Sequence, residues 1–160
     1  MGFSVEVPDV EELSEGDPRD LVVQNALLKL RAVPGELVLA VDSMVVWGGR
    51  AHGKPDDAAQ AESWLRELSG RWHEVMGGIA IRERGEERTD VAVTRVRFRE
   101  LTGSDIERYL VSGEWRDRAG GYAIQELGAM LVERIEGDYF NVVGLPVPAL
   151  LRLLPSLLHR

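Results

Sequence analysis

The stretch from Leu37 to Pro55, LVLAVDSMVVWGGRAHGKP, constrains this chain more than any other. The apolar run Leu37–Val41 predicts a strand buried on both faces. Asp42 stands directly at the end of that run, with Ser43 beside it. A second apolar run, Met44–Trp47, turns at Gly48-Gly49, and Gly53-Lys54-Pro55 then sets a cation at a turn before a helix start. A lone acid in so apolar a run is costly unless something pairs with it, protonates it or binds it. Asp42 and Lys54 are therefore the first candidates for chemistry.

Upstream, Gly2 to Val7 alternates like a strand, with Phe3, Val5 and Val7 on one side, and ends in the acids Asp9, Glu11 and Glu12. Asp17-Pro18 predicts a helix start that runs to about Ala32 and stops before Pro34-Gly35. Lys29 falls near its C-terminal end, where a cation complements the helix dipole. Only two of the 19 basic residues are lysines, Lys29 and Lys54, which singles out both positions.

Downstream, Asp56 or Asp57 caps a helix to Leu68 whose Ala61, Trp64, Leu65 and Leu68 share one face, so Trp64 is expected in the core. His73 has no second ligand at metal spacing and reads as a hydrogen-bonding histidine. His73–Ile81 and Thr89–Phe98 pair across the polar turn Arg84–Glu87. Val96 and Phe98 run out of phase with Val91 and Val93, which predicts a bulge near Thr94-Arg95. Ser104 to Glu107 reads as a capping box for a short helix ending at Gly113. Gly113 to Gln125, GEWRDRAGGYAIQ, gathers arginines, glycines and an amide. On composition alone it is a solvated turn followed by an edge strand. Pro148 to Leu158 is a leucine-rich helix interrupted at Pro155.

In order, these segments resemble the Maf family of nucleoside triphosphate pyrophosphatases, which is linked to septum formation. The A-D-T-V…G-K-P-D signature stands here as Val41-Asp42-Ser43-Met44-Val45 and Gly53-Lys54-Pro55-Asp56. The A-x-x-K motif is Ala26-Leu27-Leu28-Lys29, and L-S-G-x-x-H-x-V is Leu68 to Val75. G-E-x-x-D-K-A-G-x-Y-x-I-Q is Gly113 to Gln125, and G-x-Y-x-x-V-V-G-L-P is Gly137 to Pro146. Two departures matter: Arg118 replaces a lysine, and Glu126 replaces the glycine after Gln125. The likeness covers residues 2–154. The family's first motif, S-x-R on a strand and helix, precedes that span, so the resemblance implies a single domain over residues 1–160 that is N-terminally truncated.

The resemblance implies an α/β fold, a twisted mixed sheet flanked by helices with two lobes around a cleft, often in a homodimer. It implies hydrolysis of dTTP or UTP to the monophosphate and pyrophosphate. Asp42 would be the water-activating base or a metal ligand, and Glu12 would share the metal, Mg²⁺ or Mn²⁺. Lys29, Lys54 and Arg118 would contact phosphate. Ser43 and Gln125 would read the base, since a glutamine amide offers the donor and acceptor that uracil and thymine require. The alternatives are a catalytically weak nucleotide-binding protein associated with septum formation, or a 7-methyl-GTP pyrophosphatase.

Composition bounds the rest. The net charge of −8 argues against a nucleic-acid polymer as partner, because such binding rests on phosphate neutralisation. No apolar run approaches the roughly 20 residues of a membrane span, and no leader is visible, so a cytoplasmic protein is expected. The absence of cysteine excludes disulfides and thiolate metal sites.

Overall fold

A computed structural model describes residues 2–159. The first helix, α1 (Pro18–Ala32), begins where the side chain of Asp17 accepts from Arg19 N at 2.9 Å, with Pro18 in the first turn. Its buried face carries Leu21, Val22, Asn25, Ala26 and Leu30.

Five strands form one sheet in the order β2-β1-β3-β4-β5: β1 (Leu37–Trp47), β2 (Arg50–His52), β3 (Trp72–Glu83), β4 (Glu86–Phe98) and β5 (Val132–Glu136). The α/β class is as expected. Every pairing among the described residues is antiparallel, so the parallel part of the expected mixed sheet is not among them. β1 is one unbroken strand, so Asp42 lies within it and not at its end. The ladder tolerates the acid because its main chain pairs with Gly78 while its side chain finds a cation on α1. The expectation of burial on both faces fails at the start of β1, where Leu37 and Leu39 are 37% and 42% exposed.

Gly48 and Gly49, at φ 57° and 74°, close the β1–β2 hairpin, and Arg84-Gly85 closes β3–β4 with both residues at positive φ. The β3–β4 register runs without a shift from Trp72↔Arg97 to Glu83↔Glu86. No bulge is needed near Thr94, because both faces of β4 are covered. Val91 and Val93 lie under the α1 side, while Val96 and Phe98 enter the main core. The irregularity falls instead between β4 and β5, at Arg97 and Phe98.

α1 lies against β1 and β3. At Gly78 the approach is so close that a Cβ would stand 2.2 Å from the Val22 carbonyl oxygen, so only glycine fits there. The other face packs on α2 (Ala58–Leu68), α3 (Gly103–Ser112), α4 (Tyr139–Val143) and α5 (Val147–Leu153). Asp57 caps α2, accepting from Gln60 N at 2.8 Å. The capping box of α3 is Thr102 with Asp105, not Ser104 with Glu107, because Thr102 holds the extended cap conformation. Trp64 is half-buried at the edge of the α2 stripe. It sits edge-on to Trp47 and His52, outside the core. α4 is pinned through the buried Asn141, whose Nδ2 donates to Val75 O and to Thr94 Oγ1, each at 3.0 Å.

Residues 2–7 form no strand, and Phe3, Val5 and Val7 are exposed. Their alternation lacks a neighbouring strand on which to pair, and main-chain bonds, not alternation, make a strand. Nor do residues 119–125 form the expected edge strand. The segment instead makes a 3₁₀ turn at Ala119–Gly121. No helix among the described residues is long and apolar enough to cross a membrane.

Candidate active site

A cleft of about 250 Å³ is lined by Glu12, Lys29, Asp42, Ser43, Lys54, Arg118 and Gln125. All seven residues singled out in the sequence therefore meet in one place. They come from five parts of the chain: the arm before α1, α1 itself, β1, the turn after β2 and the segment 113–125.

The polar end is built on α1. Lys29 Nζ lies 2.6 Å from Asp42 Oδ1 and 2.8 Å from Glu12 Oε1, so one ammonium joins two carboxylates. Asp42 is 5% exposed. Burial pushes its carboxyl above the usual aspartate range, and Lys29 opposes that rise without cancelling it. For Lys29, burial pulls the other way, but the bonds to Asp42 and Glu12 prevail and hold the ammonium charged. Lys29 thus faces a carboxylate pair, and the dipole role that its position at the end of α1 suggests is secondary.

The opposite rim is looser. Lys54 Nζ is 3.8 Å from Asp117 Oδ1, and both side chains are exposed, so this cation is free to turn toward an anionic ligand. The turn that carries it is tied to the next segment by Gly120 N donating to Gly53 O at 2.9 Å. Gly120 has φ 67° and no room for a Cβ, which would sit 2.7 Å from Val45 Cγ2. That contact brings Arg118 over β1.

The apolar floor includes Val45, Val75 and Tyr122. Beneath it His73 Nε2 lies 2.8 Å from the Tyr122 hydroxyl, and burial holds His73 down at about 4. It is a neutral structural histidine, as its spacing implied. Gln125 stands between two anchors. Ala123 N donates to the Tyr109 hydroxyl at 2.9 Å, and Leu127 N and Gly128 N donate to the Glu114 carboxylate at 3.2 and 3.0 Å. Glu126 has φ 51°, the left-handed region that favours glycine. This explains why glycine is the usual residue at that position in the resembled pattern.

Sequence reasoning missed Asn25, Glu114 and the glycine opposite Asp42. Asn25 shares the buried face of α1 with Lys29, one turn away, and that i, i+4 spacing was the available signal. Glu114 lay inside a recognised motif but carried no mark of its two main-chain bonds.

Among the described residues, no group of three or more His, Cys, Asp or Glu side chains is placed to hold a metal. Glu12 and Asp42 supply oxygens that converge on one cation, Lys29 Nζ. Two carboxylates fit Mg²⁺ or Mn²⁺, which keep water ligands and take further oxygens from a phosphate chain. They do not make a closed, all-protein cage.

Comparison with known proteins gives the same direction. The pattern of the family described as Maf-like protein matches residues 1–157. A dTTP/UTP pyrophosphatase of Dictyoglomus thermophilum is 42% identical over 166 aligned positions, covering 98% of this chain and 86% of the relative. One from Gloeobacter violaceus is 48% identical, covering 86% and 74%. One from Akkermansia muciniphila is 41% identical, covering 99% and 87%.

Proposed function

The chain belongs to the Maf family, and from that premise we propose that it hydrolyses dTTP and UTP to the monophosphate and pyrophosphate. The observation that carries this reading is the cleft itself, in which Lys29 joins Glu12 and Asp42 while Lys54, Arg118, Ser43 and Gln125 line the remaining wall.

In this reading the triphosphate lies between the two cationic rims. Lys29 and Lys54 act as point charges on phosphate oxygens, and Arg118 adds a planar donor fork. A water oxygen forms the new bond to the α-phosphorus as the bond from that phosphorus to the α,β-bridging oxygen breaks. Asp42 orients the water and accepts its proton. Charge accumulates on the departing pyrophosphate, where the cationic side chains stabilise it. A divalent cation held by Glu12 and Asp42 would neutralise phosphate charge at the same place.

Ser43 and Gln125 address the base. The Gln125 amide can accept from the imide N–H of uracil or thymine and donate to a neighbouring carbonyl. Its position is held by the Tyr109 and Glu114 anchors on either side. We place the reaction in one domain spanning the chain, acting on free nucleotides in the cytoplasm.

A substrate panel tests the reading. Pyrophosphate, not orthophosphate, should appear from dTTP and UTP faster than from dCTP, GTP or 7-methyl-GTP. Gln125→Glu should erode the pyrimidine preference, because an ionised glutamate only accepts. Faster release from 7-methyl-GTP in the parent protein would overturn the base assignment.

A further inference from the structure

Asn25 is fully buried on α1, and none of the roles above uses it. Its amide grips the main chain of Leu13 from both sides. Leu13 N donates to Asn25 Oδ1 at 2.7 Å, and Asn25 Nδ2 donates to Leu13 O at 3.0 Å. The same Nδ2 lies 3.4 Å from Asp42 Oδ2. One neutral side chain thus touches both the arm before α1 and the buried carboxylate of β1.

The arm has little else to hold it. Residues 2–13 lie in neither helix nor strand. Among the described residues, the hydrogen bonds and ion pairs joining them to the rest of the fold are the two Asn25–Leu13 bonds and the Glu12–Lys29 pair. Glu12 immediately precedes Leu13 and its side chain is 45% exposed. An exposed ion pair is worth about 0–1 kcal/mol, too little to order an arm whose residues each cost about 1–2 kcal/mol to fix. Two bonds from the buried Asn25 amide to the Leu13 main chain add to that restraint.

We infer that Asn25 is the positioning residue for Glu12: by clamping Leu13 it sets the Glu12 carboxylate beside Asp42, where the two can share a divalent cation. This rests on the reading of Glu12 and Asp42 as the metal-holding pair. Asn25 would touch neither substrate nor metal; beside its 3.4 Å contact with Asp42 Oδ2, its hold on Glu12 runs through the main chain of Leu13. A simple core role for Asn25 would leave metal affinity unrelated to Glu12, so the two roles separate in a double-mutant cycle.

The measurement is Mn²⁺ binding to the nucleotide-free protein, followed by the electron paramagnetic resonance signal of free Mn²⁺. Asn25→Ala, Glu12→Gln and the double variant are compared with the parent. Asn25→Ala should bind Mn²⁺ about 10-fold to 100-fold more weakly, the range for loss of an outer-shell partner, and Glu12→Gln, which loses the ligand itself, should bind at least as weakly. The double variant should be no weaker than Glu12→Gln alone. Unchanged binding in Asn25→Ala, or losses that multiply in the double variant, would overturn the inference.

If Asn25→Ala does not fold, Leu13→Pro removes the N–H that donates to Asn25 while leaving the core intact, and the same loss should follow. The outcome is separable from the enzymatic reading. Coupled Mn²⁺ binding without pyrophosphate release would sustain the positioning role and sink the activity. Pyrophosphate release with Mn²⁺ binding indifferent to Asn25 would do the reverse.

Discussion

Lys29 Nζ stands 2.6 Å from Asp42 Oδ1 and occupies the point toward which Glu12 also turns. The cation on α1 therefore neutralises the carboxylates that a divalent ion would use. Under the proposed function, Lys29 and a divalent cation would compete before nucleotide arrives and would act together afterwards, when phosphate oxygens offer the ammonium another partner.

That competition gives an unusual sign. Lys29→Met should bind Mn²⁺ more tightly than the parent without nucleotide, because two carboxylates then face the metal uncompensated. The same variant should release pyrophosphate more slowly, having lost a phosphate contact. Titration of Mn²⁺ beside a turnover assay checks both. Weaker Mn²⁺ binding in the variant would show that Lys29 supports the metal site instead of competing for it.

Gly78 is the packing counterpart of this arrangement. It pairs with Asp42 across the ladder and lets α1 approach to the distance at which Lys29 reaches the carboxylate. Gly78→Ala would press a methyl into the Val22 main chain, which cannot rotate away. The expected cost is about 3 kcal/mol, with a disproportionate loss of activity as α1 is pushed off β1. Urea unfolding and turnover measured together would show both effects. Parent-like stability would mean that the helix can shift without penalty.

His73 gives the fold a pH dependence whose direction is set by burial. Its ordinary value is 6.5 and in the folded protein it lies at about 4. Between those values the unfolded chain binds a proton that the folded chain refuses. This contribution to stability is therefore complete above pH 6.5 and is lost as pH falls toward 4. The full difference is roughly 3 kcal/mol. His73→Gln keeps a donor for the Tyr122 hydroxyl and cannot titrate, so its stability should converge on that of the parent as pH falls through this window. Parallel stability curves for the two proteins would contradict the assignment.

Much of this site was legible because the sequence places charged residues where burial makes them expensive. Asp42 sits in an apolar run, and one of only two lysines lies on the helix that covers it. The bounds of α1 were readable from Asp17-Pro18 and Pro34-Gly35, since caps act through local chemistry. Other features depend on contacts far away in the chain. Nothing local to Gly78 reports the Val22 carbonyl, and nothing local to Asn25 reports Leu13. The alternation of Phe3, Val5 and Val7 misled for the same reason: periodicity proposes a face, but only a paired neighbour makes a strand. The phase change in β4 looked like a bulge because one covered face was assumed where the structure covers two. Glu126 was visible as a departure from a glycine, but its left-handed backbone required the structure.

On the proposed function, Asp42, held by Lys29 in the cleft, drives hydrolysis at the α-phosphorus. Pyrophosphate release from dTTP and UTP, with Mg²⁺ or Mn²⁺ present, should be compared in the parent and in Asp42→Asn. The change preserves the shape of the side chain and removes its charge, and because it also breaks the pair with Lys29, unfolding of both proteins is measured alongside. The parent should release pyrophosphate, and the variant should lose roughly 10²-fold to 10⁴-fold in kcat. Undiminished turnover in a folded Asp42→Asn protein would contradict it.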